Sequence, residues 1–261
     1  MELLSKFFHF IFSIGDPRIN NWVLFNPSVV ISVLFSYLYF VFVCGPRFMK
    51  NRQPYSLKTF IRCYDIFQIV ANSFIVHKFI KGGWFTTLSI FCEPIVYSTN
   101  PADMELLNAC WMAYLTKFID LIETGIFIFR KKDSQISILH LYHHISTVII
   151  SWIFGKHYAV GTITFIPLVN CTVHVIMYTY YFLSTFGPNV RKVIHRYKFL
   201  LTITQMVQFV ILIFYAFQSF LPNCDVDYTP GIVVILNLLI NLSLFYNFYK
   251  ETYMIEETKQ S

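Results

Sequence analysis

The stretch LHLYHHISTVIIS, Leu139 to Ser151, places His140, His143 and His144 inside an apolar run. An α-helix turns about 100° per residue, so positions i, i+3 and i+4 share one face. The three imidazoles then form one polar cluster on a helix that otherwise suits a membrane interior. Ionisable groups at that depth are costly, face a bundle interior and mark functional sites.

Composition sets the class around this helix. Of 261 residues, 56% are hydrophobic and 13% charged, and the mean hydropathy is +0.56. This balance predicts an all-α membrane protein. Apolar stretches of about 20 residues predict seven transmembrane helices: Pro27–Gly45, Thr59–Ile80, Leu106–Phe129, Ile136–Phe154, Val160–Leu183, Lys198–Phe220 and Pro230–Tyr249. No soluble domain or repeat is readable. Cys44-Gly45-Pro46 and Phe186-Gly187-Pro188-Asn189 read as joints. The net charge of +6 comes without a lysine-rich run interleaved with aromatics, so no nucleic acid partner is expected.

The loops alternate in charge. Arg47, Lys50, Arg52 and Lys58 follow the first stretch; Arg130, Lys131 and Lys132 follow the third; Arg191, Lys192, Arg196 and Lys198 follow the fifth. Segments 82–105 and 221–229 hold no Lys or Arg. The positive-inside rule makes the basic loops cytosolic, with a lumenal N-terminal segment 1–26, a membrane domain 27–249 and a cytosolic tail 250–261. Segment 1–26 lacks a signal-peptide cleavage pattern, so insertion by the transmembrane helices is expected. Cys92 and Cys224 fall in the two loops without Lys or Arg, on one non-cytosolic side, where a disulfide is permitted. Cys44, Cys63, Cys110 and Cys171 read as packing residues. The sequons at Asn170 and Asn241 fall inside helices and read as chance matches.

Topology converts position into depth at about 1.5 Å per helical residue. Arg62, Asp65, Gln68 and Asn72 form a stripe on the second helix. Lys117, Asp120, Glu123 and Thr124 lie on the third, the three histidines on the fourth, and Asn170, His174, Met177, Tyr178 and Tyr181 on the fifth. Thr202, Gln205 and Gln208 follow on the sixth, and Asn237 and Asn241 on the seventh. Most of these fall about 7–15 Å from the cytosolic ends. The expected architecture is a ring of six helices around a cytosol-open pocket, with the first helix outside. The pocket has a charged mouth, a reactive middle and an apolar floor closed near Trp84, Trp111 or Trp152. That shape fits an acyl-CoA.

Blander readings stand beside these. Lys117 and Asp120 serve equally well as a structural ion pair. The tyrosines suit an interfacial belt, and Gln205, Gln208, Asn237 and Asn241 suit interhelical hydrogen bonding. A di-iron oxygenase would need about eight histidines at one depth; only four converge here. A seven-helix lipid receptor or transporter is the non-enzymatic alternative. Neither metal nor cofactor is expected.

Four motifs then point one way. Lys117-Phe-Ile-Asp120-Leu-Ile-Glu123-Thr124 is similar to the K-x-x-E-x-x-D-T motif of very-long-chain fatty acid elongases, with the two acids exchanged. His140-Leu-Tyr-His143-His144 resembles their H-x-x-H-H box. Asn170-x-x-x-His174-x-x-Met177-Tyr178-x-Tyr180-Tyr181 and Thr202-x-x-Gln205-x-x-Gln208 resemble a third and a fourth. The resemblance implies a seven-helix enzyme of the endoplasmic reticulum that condenses acyl-CoA with malonyl-CoA to 3-oxoacyl-CoA, CoA and carbon dioxide. Its partners would be 3-oxoacyl-CoA reductase, dehydratase and enoyl-CoA reductase; a homodimer is left open. The dilysine retrieval tail is poorly matched, with only Lys259 near the end.

For that chemistry His143 is the preferred nucleophile, with His174 as its proton-transfer or enolate partner and His140 and His144 orienting them. Asn170, Gln205 and Gln208 are candidate donors to the thioester oxygen. Tyr178, Tyr181 and Asn241 are candidate substrate contacts. Lys117 is assigned to the malonyl carboxylate or to balancing the acidic pair. Arg130, Lys131 and Lys198 are candidates for the CoA phosphates.

Overall fold

The computed structural model describes residues 13, 15–19, 22–94 and 96–254. Among them the chain forms helices and no strands. The tail from 255 on, with Lys259, and residues 1–12, with His9, lie outside the described residues.

The helices start where the sequence supplies caps. α1, Pro27–Tyr39, opens on Asn26, whose side chain accepts from Ser28 N–H, with Pro27 in the first turn. α2, Gly45–Met49, continues it. α3 is Lys58–Lys81. α4, Pro101–Asp120, opens on Asn100, which accepts from Asp103 N–H. α5 is Ile122–Phe129. α6, Ile138–His157, carries the histidine stretch and opens on Ser137, which accepts from His140 N–H. α7 is Phe165–Ser184, α8 Pro188–His195 and α9 Lys198–Phe217. α10, Tyr228–Tyr249, opens on Asp227, which accepts from Thr229 N–H.

Two local expectations are corrected. Cys44-Gly45-Pro46 is not a joint, because α1 runs through a π-helical stretch, Phe40–Cys44, straight into α2. Pro46 has no N–H to give the preceding turn, and a π-bulge absorbs that defect without ending the helix. A Cβ on Gly45 would come within 2.9 Å of Ile128 Cγ2, so glycine lets α2 close on α5. The expected single helix Leu106–Phe129 is two, broken at Leu121, whose N–H bonds to Phe118 O rather than continuing the α ladder.

Among the described residues, five helical stretches are long and apolar enough to cross a membrane: Pro27–Met49, Ile138–His157, Gly161–Ser184, Lys198–Phe220 and Tyr228–Met254. α3 and α4 fall short because α3 bears Lys58, Arg62, Asp65, Lys78 and Lys81, and α4 bears Asp103, Glu105, Lys117 and Asp120. The chain is a multi-pass membrane protein. α3 packs on α4 and α7, α7 on α9, α9 on α10, α10 on α6, and α6 on α4. α2 leans on α5. Phe79, Trp84, Leu106, Leu168, Leu212 and Val234 join α3, α4, α7, α9 and α10 in the main apolar core. Between membrane helices such packing holds by dispersion and close fit, since lipid is as apolar as the core.

The loops at one end are tied together. Cys92 and Cys224 are joined, with Cα atoms 5.3 Å apart. Cys92 N–H donates to Gln218 Oε1 at 2.6 Å, and Trp84 Nε1–H donates to Thr164 Oγ1 at 2.8 Å. At the same end the 3-10 turn Val23–Phe25 before α1 folds over α4 and α6: Tyr114 OH donates to Leu24 O, and Trp152 Nε1–H to Phe25 O.

Candidate active site

A cavity of about 110 Å³ runs between α4, α6, α7, α9 and α10. Lys117, His143, Asn170, Gln208 and Asn241 line its polar part. Cys110, Ile150, Phe154 and Ile163 line the apolar part that runs toward the disulfide end.

The three histidines of α6 do not form one cluster around this space. His140 and His144 lie against each other with tilted rings, centroids 4.2 Å apart, and face α5. His140 Nε2 lies 2.8 Å from Thr124 Oγ1, and His144 Nε2 lies 3.5 Å from Glu123 Oε2. His143 is about 100° round the helix from His144. It alone of the three lines the cavity. Its Nδ1 is 3.1 Å from Asn241 Oδ1 on α10. The Asn241 amide is oriented by its own Nδ2–H, which donates to Asn237 O at 2.9 Å. Oδ1 can only accept, so His143 donates through Nδ1–H and keeps a bare lone pair on Nε2.

The charged groups are bridged across helices. Lys117 Nζ donates to Asp120 Oδ2 and to Asn170 Oδ1, each at 3.0 Å. With Oδ1 taken, Asn170 has its Nδ2–H groups left to donate. Gln68 Nε2 donates to Asp120 Oδ1 at 2.7 Å. Tyr178 OH lies 2.6 Å from Glu123 Oε1 and 3.2 Å from Asp120 Oδ1. The two acids share Tyr178 and differ in their other partners. The shorter Asp120 meets Lys117 one turn back, and the longer Glu123, beyond the break at Leu121, reaches Tyr178 and the His144 side. His174 is buried, its ring 5.6 Å from that of Tyr178, and its Nδ1 has no hydrogen-bond partner among the described residues.

Glu123, His140 and His144 bring ligand atoms within 4.8 Å of one another and are the set of described residues that could hold a metal ion. Thr124 hydrogen-bonds His140 of this set, and Tyr178 hydrogen-bonds Glu123.

Other expected site residues are placed elsewhere. Gln205 Nε2 donates to Met177 Sδ at 3.4 Å and does not line the cavity, whereas Gln208 does. Tyr181 is half-exposed beside Tyr178. Arg130 ends α5, Lys131 follows in the left-handed region with φ 51°, and Lys198 Nζ lies 5.8 Å from the Tyr253 ring. None of these three lines the cavity. Trp84, Trp111 and Trp152 do not close the floor: they pack against Phe165, against Trp22 and beneath Phe25 O. Sequence reasoning missed Tyr37, whose OH is 2.8 Å from Thr124 Oγ1 and links α1 to His140. It also missed Cys110, a lining residue read as packing.

The ELO: GNS1/SUR4 family matches residues 22–261. Very long chain fatty acid elongase 1 of Homo sapiens is 36% identical over 258 residues, covering 97% of this chain and 91% of that one. Very long chain fatty acid elongase 7 of Rattus norvegicus is 36% identical over 243 residues, covering 92% and 86%. Very long chain fatty acid elongase 4 of Homo sapiens is 33% identical over 249 residues, covering 95% and 79%. The chain belongs to the ELO family of fatty acid elongase condensing enzymes.

Proposed function

We propose that this chain is the 3-oxoacyl-CoA synthase of a very-long-chain elongation cycle, working through an acyl group carried on His143. The observation that carries the reading is that His143 lines the cavity with Nδ1 engaged by Asn241, which leaves Nε2 as the nucleophile.

In the first half-reaction Nε2 attacks the thioester carbonyl of acyl-CoA. The C–S bond breaks, the CoA thiolate leaves and takes a proton from solvent water, and the acyl-imidazolium keeps its Nδ1–H on Asn241. The Asn170 amide, oriented by Lys117, and Gln208 donate to the thioester oxygen as charge builds on it. In the second half-reaction malonyl-CoA loses carbon dioxide, and its enolate carbon attacks the acyl carbonyl. The N–C bond breaks, giving 3-oxoacyl-CoA and free His143. Lys117 attracts the malonyl carboxylate, and His174, with Nδ1 unengaged, stabilises the enolate or moves its proton. His140 and His144, held by Thr124 and Glu123, fix the α6 face that presents His143.

The apolar part of the cavity receives the acyl tail. Spacing on α6 from His143 to Phe154 corresponds to about 16 Å of depth. We further propose that α3, and α4 with α5, complete seven spans, and that α3, α4, α6, α10, α9 and α7 close a ring with α1 outside. The pairwise packing of those six helices supports this. The basic loops face the cytosol and meet the CoA phosphates through Arg130, Lys131 and Lys198. Residues 1–26 are lumenal and 250–261 cytosolic, in the endoplasmic reticulum. The reductases and dehydratase of the cycle take the product.

Microsomal elongation with labelled malonyl-CoA across an acyl-CoA panel tests the reading. Wild type should make labelled product, and His143→Ala at matched expression should make none. Equal rates in both would remove His143 from the chemistry. Silence in both would remove the condensing activity.

A further inference from the structure

A second, smaller cavity, of about 30 Å³, lies at the disulfide end. Its lining is almost wholly apolar and comes from three of the helices that line the first. α9 gives Gln208, Phe209 and Leu212 to the first cavity and Tyr215 and Ala216 to the second. α10 gives Asn241 and Leu238 to the first and Val234 and Gly231 to the second. The two spaces therefore follow one another along the same helical faces. Two side chains, Ile163 and Ile166, line both. Ile166 stands on the α7 face that carries Pro167, Asn170 and His174, Ile163 sits one turn before it in the 3-10 turn Gly161–Thr164 that leads into α7, and both are only partly buried.

We propose that Ile163 and Ile166 are the stop for the methyl end of the acyl chain, and that the cavity behind them is the space that any longer chain must enter. The inference rests on the reading of the first cavity as the acyl site. A tail that starts at His143 and fills the apolar part meets these two side chains at the end remote from the reacting carbonyl. Going further requires displacing a branched side chain that packed neighbours hold in place, so the limit should be sharp. Discrimination per methylene in an apolar pocket is about 10-fold or more.

The test compares wild type, Ile163→Ala/Ile166→Ala, and the same pair with Val234→Phe, on a panel of saturated acyl-CoAs. Each enzyme's long-chain rate is normalised to its own rate on a short substrate. The double variant should extend the longest accepted chain by at least one two-carbon unit, raising its relative rate about 10-fold. Val234→Phe, which fills the second cavity from the far wall, should reverse the gain. Ile163→Val and Ile166→Val remove one methyl each and decide the matter if the alanine pair does not fold. An unchanged product profile in active variants would overturn the stop. So would loss of short-chain activity in stably expressed valine variants. A wild type inactive on every acyl-CoA would instead overturn the acyl-site reading itself.

Discussion

His143 Nδ1 and Asn241 Oδ1 stand 3.1 Å apart, across the contact between α6 and α10. Asn241 is in turn held by Asn237 O at 2.9 Å, and Tyr142 OH donates to Asn237 Oδ1 at 3.1 Å. The histidine is thus locked by a partner that is itself locked. Asn241→Ala frees the ring to take the other tautomer, in which Nε2 carries the proton. We expect kcat to fall about 100-fold, the scale of a lost acid–base element, while KM for acyl-CoA changes little. Steady-state kinetics on purified enzyme reads both. A KM effect alone would make Asn241 a binding residue.

Lys117 and Asp120 are 5% and 4% exposed, and each neutralises the other. Lys117→Met leaves a buried carboxylate without its cation and should destabilise by about 3–5 kcal/mol. Lys117→Met/Asp120→Leu should recover most of that stability without recovering activity. Thermal unfolding in detergent separates the two effects. An unchanged midpoint for Lys117→Met would contradict the pairing.

Thr124 Oγ1 is 2.8 Å from both Tyr37 OH and His140 Nε2. Thr124→Val strands both partners and should cost about 1–3 kcal/mol. In a double-mutant cycle with Tyr37→Phe the two losses should not add. Strict additivity would show that α1 does not communicate with His140.

Cys110 lines the cavity two turns from Lys117, at about 10 Å of helix rise. Cys110→Trp should abolish elongation of long acyl-CoAs and spare short ones. Equal loss across the panel would place the tail elsewhere.

The link between Cys92 and Cys224 spans 132 residues. Non-reducing peptide mapping should recover the joined pair, and Cys92→Ser should cost about 2–5 kcal/mol.

The histidine stretch and the buried stripes were legible because polar residues in an apolar run have few explanations. The break at Leu121 was not legible, since neither Pro nor Gly signals it. Pro46 signalled a stop that the π-helical stretch removed. The split between His143 and His144 hides in a helical face treated as one, although adjacent residues differ by about 100°. The tryptophans were poor guides to the cavity floor because their size suits packing, and which packed surface encloses a void is decided by tertiary fit. Tyr37 needed the position of α1 against α5, which no local pattern carries.

The most direct test of the central claim is to incubate purified enzyme with acyl-CoA in the absence of malonyl-CoA and map the trapped acyl group by peptide mass spectrometry. The account predicts one acyl group on His143, absent from His143→Ala and discharged by malonyl-CoA. An acyl group on Cys171 or Cys110, or none in an enzyme that turns over, would contradict it.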